Sequence, residues 1–451
     1  APRGVDWLKG RKMVEEKEPI RVFEGFLFPR IFQAFRMSIQ PTKLILAFVA
    51  VAAICLAGRI MDVSQTVVVR PGGTTELDEF MDPNGTGVAR HIRLFAAAGE
   101  RTGVFATLWS YQARQFHEVL YGVLEFDVPK VRDHVGNYFQ AFAWALLYHP
   151  GYTIILFAIC LAVISLVGGA ICRIAALQFA QGEKPGLTEA LRFGARKFYS
   201  FLTAPLTPVG IIVVTGVSVV LLGLVGNIRY VGELSVGVFL PLALLAAALT
   251  TIIAIGAVAG LNLMFPTIAY EDSDCFDAIS RSFSYVYAKP WRMGFYTVVA
   301  VGYGAICYLF VRCFCYLVLA ITHVFLKLGF VGENAKLNKM WPGPAFADLR
   351  GVAAAPENWS TSAAAFLIDV WVLVVVGLMV AFVISFYFSA NTIIYALMRN
   401  RVDKTSLEEV YTYAGEFAAG PDVPPPGAEG PSDETTPAKE SKPKGKSEAS
   451  E

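Results

Sequence analysis

Gly237-Val-Phe-Leu-Pro-Leu-Ala-Leu-Leu-Ala-Ala-Ala-Leu-Thr-Thr-Ile-Ile-Ala-Ile-Gly-Ala-Val-Ala-Gly-Leu-Asn-Leu-Met-Phe265 carries no charged side chain. Coiled as a helix rising about 1.5 Å per residue, it is long enough to cross a hydrocarbon core of roughly 30 Å. Hydrocarbon offers no hydrogen bonds, so a segment crossing it must satisfy its own backbone, as a helix does. Five further blocks of this kind lie at about 43 to 62, 152 to 177, 205 to 226, 293 to 312 and 365 to 395. The sequence therefore predicts an all-α polytopic membrane protein with six transmembrane helices.

Composition agrees. Hydrophobic residues fill 55% of 451 positions and charged residues 17%, whereas soluble domains are about a quarter charged. The formal charge of +1 provides no whole-chain attraction to nucleic acid. The seven cysteines, Cys55, Cys160, Cys172, Cys275, Cys307, Cys313 and Cys315, show no CxxC pair and no zinc spacing with histidine. They read as small apolar fillers. Cys313 and Cys315, two apart on a helix, face different directions and do not form a disulfide with each other.

Basic residues set the expected orientation. Arg3, Lys9, Arg11, Lys12, Lys17, Arg21, Arg30 and Arg36 precede the first span; Lys184, Arg192, Arg196 and Lys197 follow the second. Arg281, Lys289 and Arg292 follow the fourth, and Arg399, Arg401 and Lys404 the sixth, whereas the short turn after the third holds only Arg229. Both termini are thus expected on the cytoplasmic side, with the first span acting as its own insertion signal.

On that side three stretches lead through a proline into the next span: Phe32-Gln-Ala-Phe-Arg-Met-Ser-Ile-Gln-Pro41, Leu191-Arg-Phe-Gly-Ala-Arg-Lys-Phe-Tyr-Ser-Phe-Leu-Thr-Ala-Pro205 and Ile279-Ser-Arg-Ser-Phe-Ser-Tyr-Val-Tyr-Ala-Lys-Pro290. Thr267-Ile-Ala-Tyr270 echoes Thr392-Ile-Ile-Tyr395 at the ends of returning spans. The chain reads as three parallel units, each an interfacial elbow helix followed by a transmembrane hairpin. Elbow aromatics enter the acyl boundary while Arg and Lys reach anionic headgroups, so membrane lipids are expected partners alongside proteins in the membrane.

The organisation follows: 1–42 a cytoplasmic segment with an elbow, 43–62 the first span, 63–151 an extracytoplasmic cap, 152–327 spans two to five with their elbows, 328–364 an outer loop, 365–395 the sixth span, 396–419 a cytoplasmic helix, 420–451 a disordered tail. The cap opens with a strand-like run, Thr66-Val-Val-Val-Arg70, closed by Pro71-Gly-Gly73. Two helices follow, one with Phe105, Trp109, Phe116, Leu120 and Val123 on a face, the other, after Pro129, with Val131, Val135, Phe139, Phe142 and Leu146. Asn84-Gly-Thr86 and Asn358-Trp-Ser360 match the glycosylation pattern by chance. Thr405 with Glu408 has capping-box spacing and predicts a helix start. The tail, rich in Pro, Glu, Ser and Lys, cannot bury enough apolar surface to order itself.

Few residues suggest chemistry. Arg312 lies near the outer end of span five, with the run Cys313 to Leu326 beyond it as an outer helix or as more of a tilted span. Asp369 lies at a similar depth in span six, so the two are expected to form an ion pair that spares each a lone charge in lipid. Asn262 and Asn391, at equivalent places near the inner ends of spans four and six, are placed to hydrogen-bond between helices. Gly256-Ala-Val-Ala-Gly260 allows close helix approach, within the bundle rather than between copies. His91, His117, His134, His149 and His323 form no metal motif, and no P-loop, GxGxxG or GxSxG elbow is present. Glu125, Asp127 and Asp133 read as a solvated face. No metal or cofactor is implied.

The proline-ended elbows, such as Phe276-Asp-Ala-Ile-Ser-Arg-Ser-Phe leading to Lys289-Pro-Trp, resemble those of bacterial membrane proteins related to the membrane domain attached to some glycerophosphodiester phosphodiesterases. The likeness covers mainly residues 170 to 400. It implies a membrane module without the hydrolase's catalytic residues, and the cap departs from the pattern. The expected function is a non-enzymatic membrane scaffold or accessory subunit organising partners or lipids; a transporter or channel with a path between the hairpins is the alternative. A continuous polar cavity would favour the second, a closed apolar bundle the first.

Overall fold

A computed structural model describes residues 27–71, 73–82, 87–95, 100–330, 334–351 and 358–412. Compact packing extends to Val410, and Tyr411 opens a second unit of which only residues 411 and 412 are described. The expected disordered tail, Asn84 and most of the first basic segment lie outside the described residues.

The described chain opens with a 3-10 turn, Phe28–Phe32, running into α1 (Gln33–Ser38). Pro41 starts α2 (Pro41–Met61), where its fixed φ suits a first turn and its missing N–H costs nothing. The cap follows as β1 (Val67–Val69), α3 (Glu76–Met81), α4 (Val88–Phe95), β2 (Glu100–Thr102), α5 (Val104–Glu125) and α6 (Val128–Tyr148). The strand read at Thr66 to Arg70 is present and pairs antiparallel with β2, Val67 opposite Thr102. The two long cap helices fall where their apolar spacing places them. Phe126 turns the chain between them at φ 57, and Asp127 caps α6 by accepting from the Lys130 amide at 3.0 Å.

The remainder is α7 (Pro150–Ala180), α8 (Leu187–Arg196), α9 (Phe198–Val225), α10 (Val231–Glu271), α11 (Cys275–Ala288), α12 (Pro290–Gly329), α13 (Asn334–Met340) and α14 (Trp359–Val402). Six helices, α2, α7, α9, α10, α12 and α14, are long and apolar enough to cross a membrane, and the chain is a multi-pass helical membrane protein. A short helix, α1, α8 or α11, precedes the first arm of each hairpin.

The hydropathy blocks understate the helices. At 41, 40 and 44 residues, α10, α12 and α14 are about twice the length a bilayer needs. The surplus of α12 lies beyond Arg312, away from its elbow, while α10 and α14 overrun at both ends; at the elbow end the spans pack on the elbow helices and on one another. Two buried clusters there join Ala34 and Met37 of α1, Phe193 of α8, Phe201 of α9, Ile268 of α10, Tyr285 of α11 and Ile393 of α14. Away from that end, α9 and α10 pack on each other and expose apolar side chains such as Val214, Leu245 and Val258. Their connection is tight: a Cβ at Gly232 would lie 2.2 Å from the Val225 carbonyl oxygen.

Three expectations change, and one open alternative closes. Pro205 is not the junction of the second elbow, because the break falls at Lys197 and α9 runs through Pro205 and Pro208. Prolines are tolerated inside membrane helices where neighbours take up the local distortion. Of the two alternatives for the run 313–327, an outer helix or more of a longer span, the second holds: it is an uninterrupted part of α12. The outer loop is shorter than 328–364, since α14 already begins at Trp359. No helix starts at Thr405: α14 ends at Val402 and Lys404 takes a φ of 58. Arg399 then donates to the Glu409 carbonyl (2.6 Å) and Asn400 to the Thr405 carbonyl (2.8 Å), so side chains take the backbone groups a helix would use.

Candidate functional site

The elbow end is closed by a charged clasp. Glu271, at the end of α10, accepts from the Tyr395 hydroxyl at 2.5 Å and pairs with Arg399 of α14 at 3.2 Å and Arg281 of α11 at 2.6 Å. Tyr395 stands between Tyr270 and Tyr285, with ring centroids 5.5 and 5.7 Å away. The two echoing sequences thus meet: Tyr270 packs on Tyr395, while Thr267 and Thr392 each donate to the carbonyl one turn back, both at 2.7 Å. Tyr285 donates to Asp403 at 2.5 Å, and burial, then Asp403, push its phenol above the usual range. Lys197 and Lys289, at the elbow junctions, act alike. Lys197 donates to the Asp272 carbonyl at 2.5 Å and Lys289 to the Arg401 carbonyl, placing cations where α10 and α14 expose orphan oxygens.

Asn262 and Asn391 do come together, though not by bonding each other. Both line a cavity of about 190 Å³ between α5, α10, α12 and α14. Asn262 accepts from the Tyr387 hydroxyl at 3.0 Å. Asn391 is only 7% exposed, and no hydrogen-bond partner is found for its side chain among the described residues. The rest of the lining is apolar apart from Thr297 and two tyrosines.

The expected Arg312–Asp369 pair is not formed. Arg312, 4% exposed, donates to the Phe346 carbonyl (2.8 and 3.1 Å), the Ala347 carbonyl (2.8 Å), the Tyr308 hydroxyl (3.0 Å) and His117 Nε2. Asp369 is held by a bidentate Arg350, at 2.7 and 2.8 Å. Similar depth was insufficient, because Arg312 faces α5 and the 342–351 segment, which supply carbonyls. Arg312 donates to His117 Nε2, so that nitrogen is the acceptor and the ring proton belongs on Nδ1. Burial and then the Arg312 guanidinium hold His117 down to about 4.

The glycine pair does what its spacing suggests, against an elbow. A Cβ on Gly256 would lie 2.9 Å from the Phe283 ring of α11, and one on Gly260 3.4 Å from Ser282.

Residues the sequence reading did not single out prove as telling. Lys43, fully buried, donates to Ser389 at 3.3 Å. Arg173, 1% exposed, donates to the Ala269 carbonyl at 2.9 Å and lies over the Phe193 ring. Asp62, at the end of α2, accepts from the Phe105 and Ala106 amides, both at 2.9 Å, and from the Tyr152 hydroxyl at 2.6 Å. In the cap, buried Glu76 accepts from the Val68 amide at 2.7 Å and lies 3.3 Å from His149. A lone charge inside or beside an apolar block was the available signal for Lys43, Arg173 and Asp62. Among the described residues no three His, Cys, Asp or Glu side chains converge as a metal ion requires.

No protein-family description, no curated protein and no solved structure matches this chain.

Proposed function

We propose that this chain is a non-enzymatic membrane scaffold or accessory subunit. It sits in a bacterial cytoplasmic membrane with both termini inside and gathers partners or lipids through its cap and elbow end. The observation that carries this reading is an open apolar stripe on α6. Val128, Val135, Phe139, Phe142 and Leu146 recur at helical spacing and are exposed by 74, 38, 66, 40 and 53%. A helix with water on that face would put polar residues there. The opposite face is fixed by buried Ala141, Trp144 and Ala145, and the cap is tied to the spans through Asp62, which accepts from the Phe105 amide, and Arg312, which donates to His117. The stripe is therefore a stiffly mounted apolar surface that suits a partner protein or a bilayer face. At the elbow end, exposed Arg36, Arg192 and Arg292 beside exposed Tyr199 and Trp291 suit anionic headgroups. The basic residues near the elbows support the orientation, and the resemblance of those elbows to a membrane domain without its hydrolase supports a non-catalytic role.

A photocrosslinker at position 139 in native membranes is expected to trap one discrete protein or lipid species, and Phe142→Ser is expected to reduce its yield. An undefined smear insensitive to Phe142→Ser would overturn the reading. The cavity at Asn262 and Asn391 favours a second reading, a path between the hairpins. Solute uptake into vesicles containing the purified chain, abolished by filling that cavity, would replace the scaffold.

A further inference from the structure

We infer that the cavity between α5, α10, α12 and α14 holds one acyl chain of a membrane glycerolipid, its ester carbonyl accepting a hydrogen bond from the Asn391 amide. This goes beyond the scaffold reading and stands without it.

Depth is the first argument. The shortest span, α2, has 21 residues, about 31 Å as a helix, which matches the hydrocarbon thickness. Pro41 and Met61 therefore mark its two boundaries. Lys43 donates to Ser389, so Asn391, slightly farther along α14 toward the elbows, lies near the boundary at Pro41. Ester carbonyls of a glycerolipid sit at that interface, between headgroup and chains. From there the cavity follows α12 from Thr297 to Tyr308, a rise of about 16 Å, and reaches Phe116 and Leu120 of the cap helix α5.

Chemistry is the second. The lining contains no Lys, Arg, His, Asp or Glu, so the occupant's inserted part is uncharged. Asn391 is 7% exposed and lines the cavity, so an acceptor entering there would satisfy an amide that has no other partner among the described residues. Asn262 has given its oxygen to Tyr387, which leaves its NH₂, with that of Asn391, to meet an acceptor. An ester carbonyl is an acceptor only, and the hydrocarbon attached to it matches the remaining wall. Val301, 50% exposed, and Tyr387, 45% exposed, edge the opening toward the surrounding lipid.

The test uses the full chain in nanodiscs containing a phosphatidylglycerol with a diazirine on one ester-linked chain, compared with its ether-linked counterpart, which lacks the carbonyl. The ester lipid is expected to label peptides covering 297–308 and 382–394, and the ether lipid about five-fold less, the effect of one lost hydrogen bond. Asn391→Leu should bring ester labelling down to the ether level, and Val301→Trp, at the exposed mouth, should remove both. Equal labelling by ester and ether lipids on the parent chain overturns the carbonyl contact without relying on any variant. Labelling that persists in a Val301→Trp chain with an unchanged thermal transition overturns the cavity as the site.

Discussion

Tyr395 donates a 2.5 Å hydrogen bond to Glu271, and the carboxylate is shared with Arg281 and Arg399. Three elements, α10, α11 and α14, are closed by one acid. Its side chain is 9% exposed and that of Arg399 12%, so removing its charge leaves the largely buried Arg399 guanidinium without its acid. Glu271→Gln should cost about 3 kcal/mol, whereas Tyr395→Phe should cost about 1.5 kcal/mol. Thermal unfolding in detergent, followed by labelling of buried Cys172, checks the order; equal effects would mean the acid is not the hub.

His117 makes cap docking sensitive to acid. Its folded-state value of about 4 lies below the ordinary 6.5, so the unfolded chain takes up a proton first. The contribution is full above about pH 6.5, declines as pH falls, and is gone by about pH 4. Protease sensitivity of the cap should rise across that window, and His117→Gln should flatten the dependence. A cap equally resistant at both ends of the window would refute this.

Arg312 and Asp369 should prove independent. Arg312→Ala leaves the Phe346 and Ala347 carbonyls without their donor and should release the 342–351 segment at a cost of about 3 kcal/mol. The Arg350–Asp369 pair is 46 and 37% exposed, so Asp369→Asn should cost less than about 1 kcal/mol. A double-mutant cycle between positions 312 and 369 should be additive within about 0.5 kcal/mol; larger coupling would restore the pair that the sequence suggested.

Gly256 and Gly260 should differ. Gly256→Val drives atoms into Phe283 and should lose about 1–3 kcal/mol, while Gly260→Ala meets Ser282 at ordinary contact distance and should be tolerated. Neither should alter the oligomeric state measured by native mass spectrometry, because the face is covered by the chain's own α11.

The six spans, the paired cap helices and the strand at Val67 were readable because each rests on a local periodicity. Partner choice was not. Arg312 and Asp369 share a depth, yet which neighbour each meets depends on helix rotation and on a distant segment of irregular backbone. The break at Lys197 rather than Pro205 was hidden because a proline inside a packed helix looks like a boundary in one dimension. The strand at Glu100–Thr102 has too few residues to show alternation. For Thr405 and Glu408 the spacing was right, but Arg399 and Asn400 reached the backbone first. The cavity at Asn391 needed four helices in register, which no single stretch encodes.

Asp62 implies an order of assembly. Its carboxylate is completed by the amides at Phe105 and Ala106 and by a hydroxyl 90 residues downstream, on Tyr152. While the chain is being made, that acid waits at the end of the first span until the whole cap and the start of the next span have emerged. The latch therefore closes late, and a chain cut short before Tyr152 is left with one of its three bonds missing at the base of the cap.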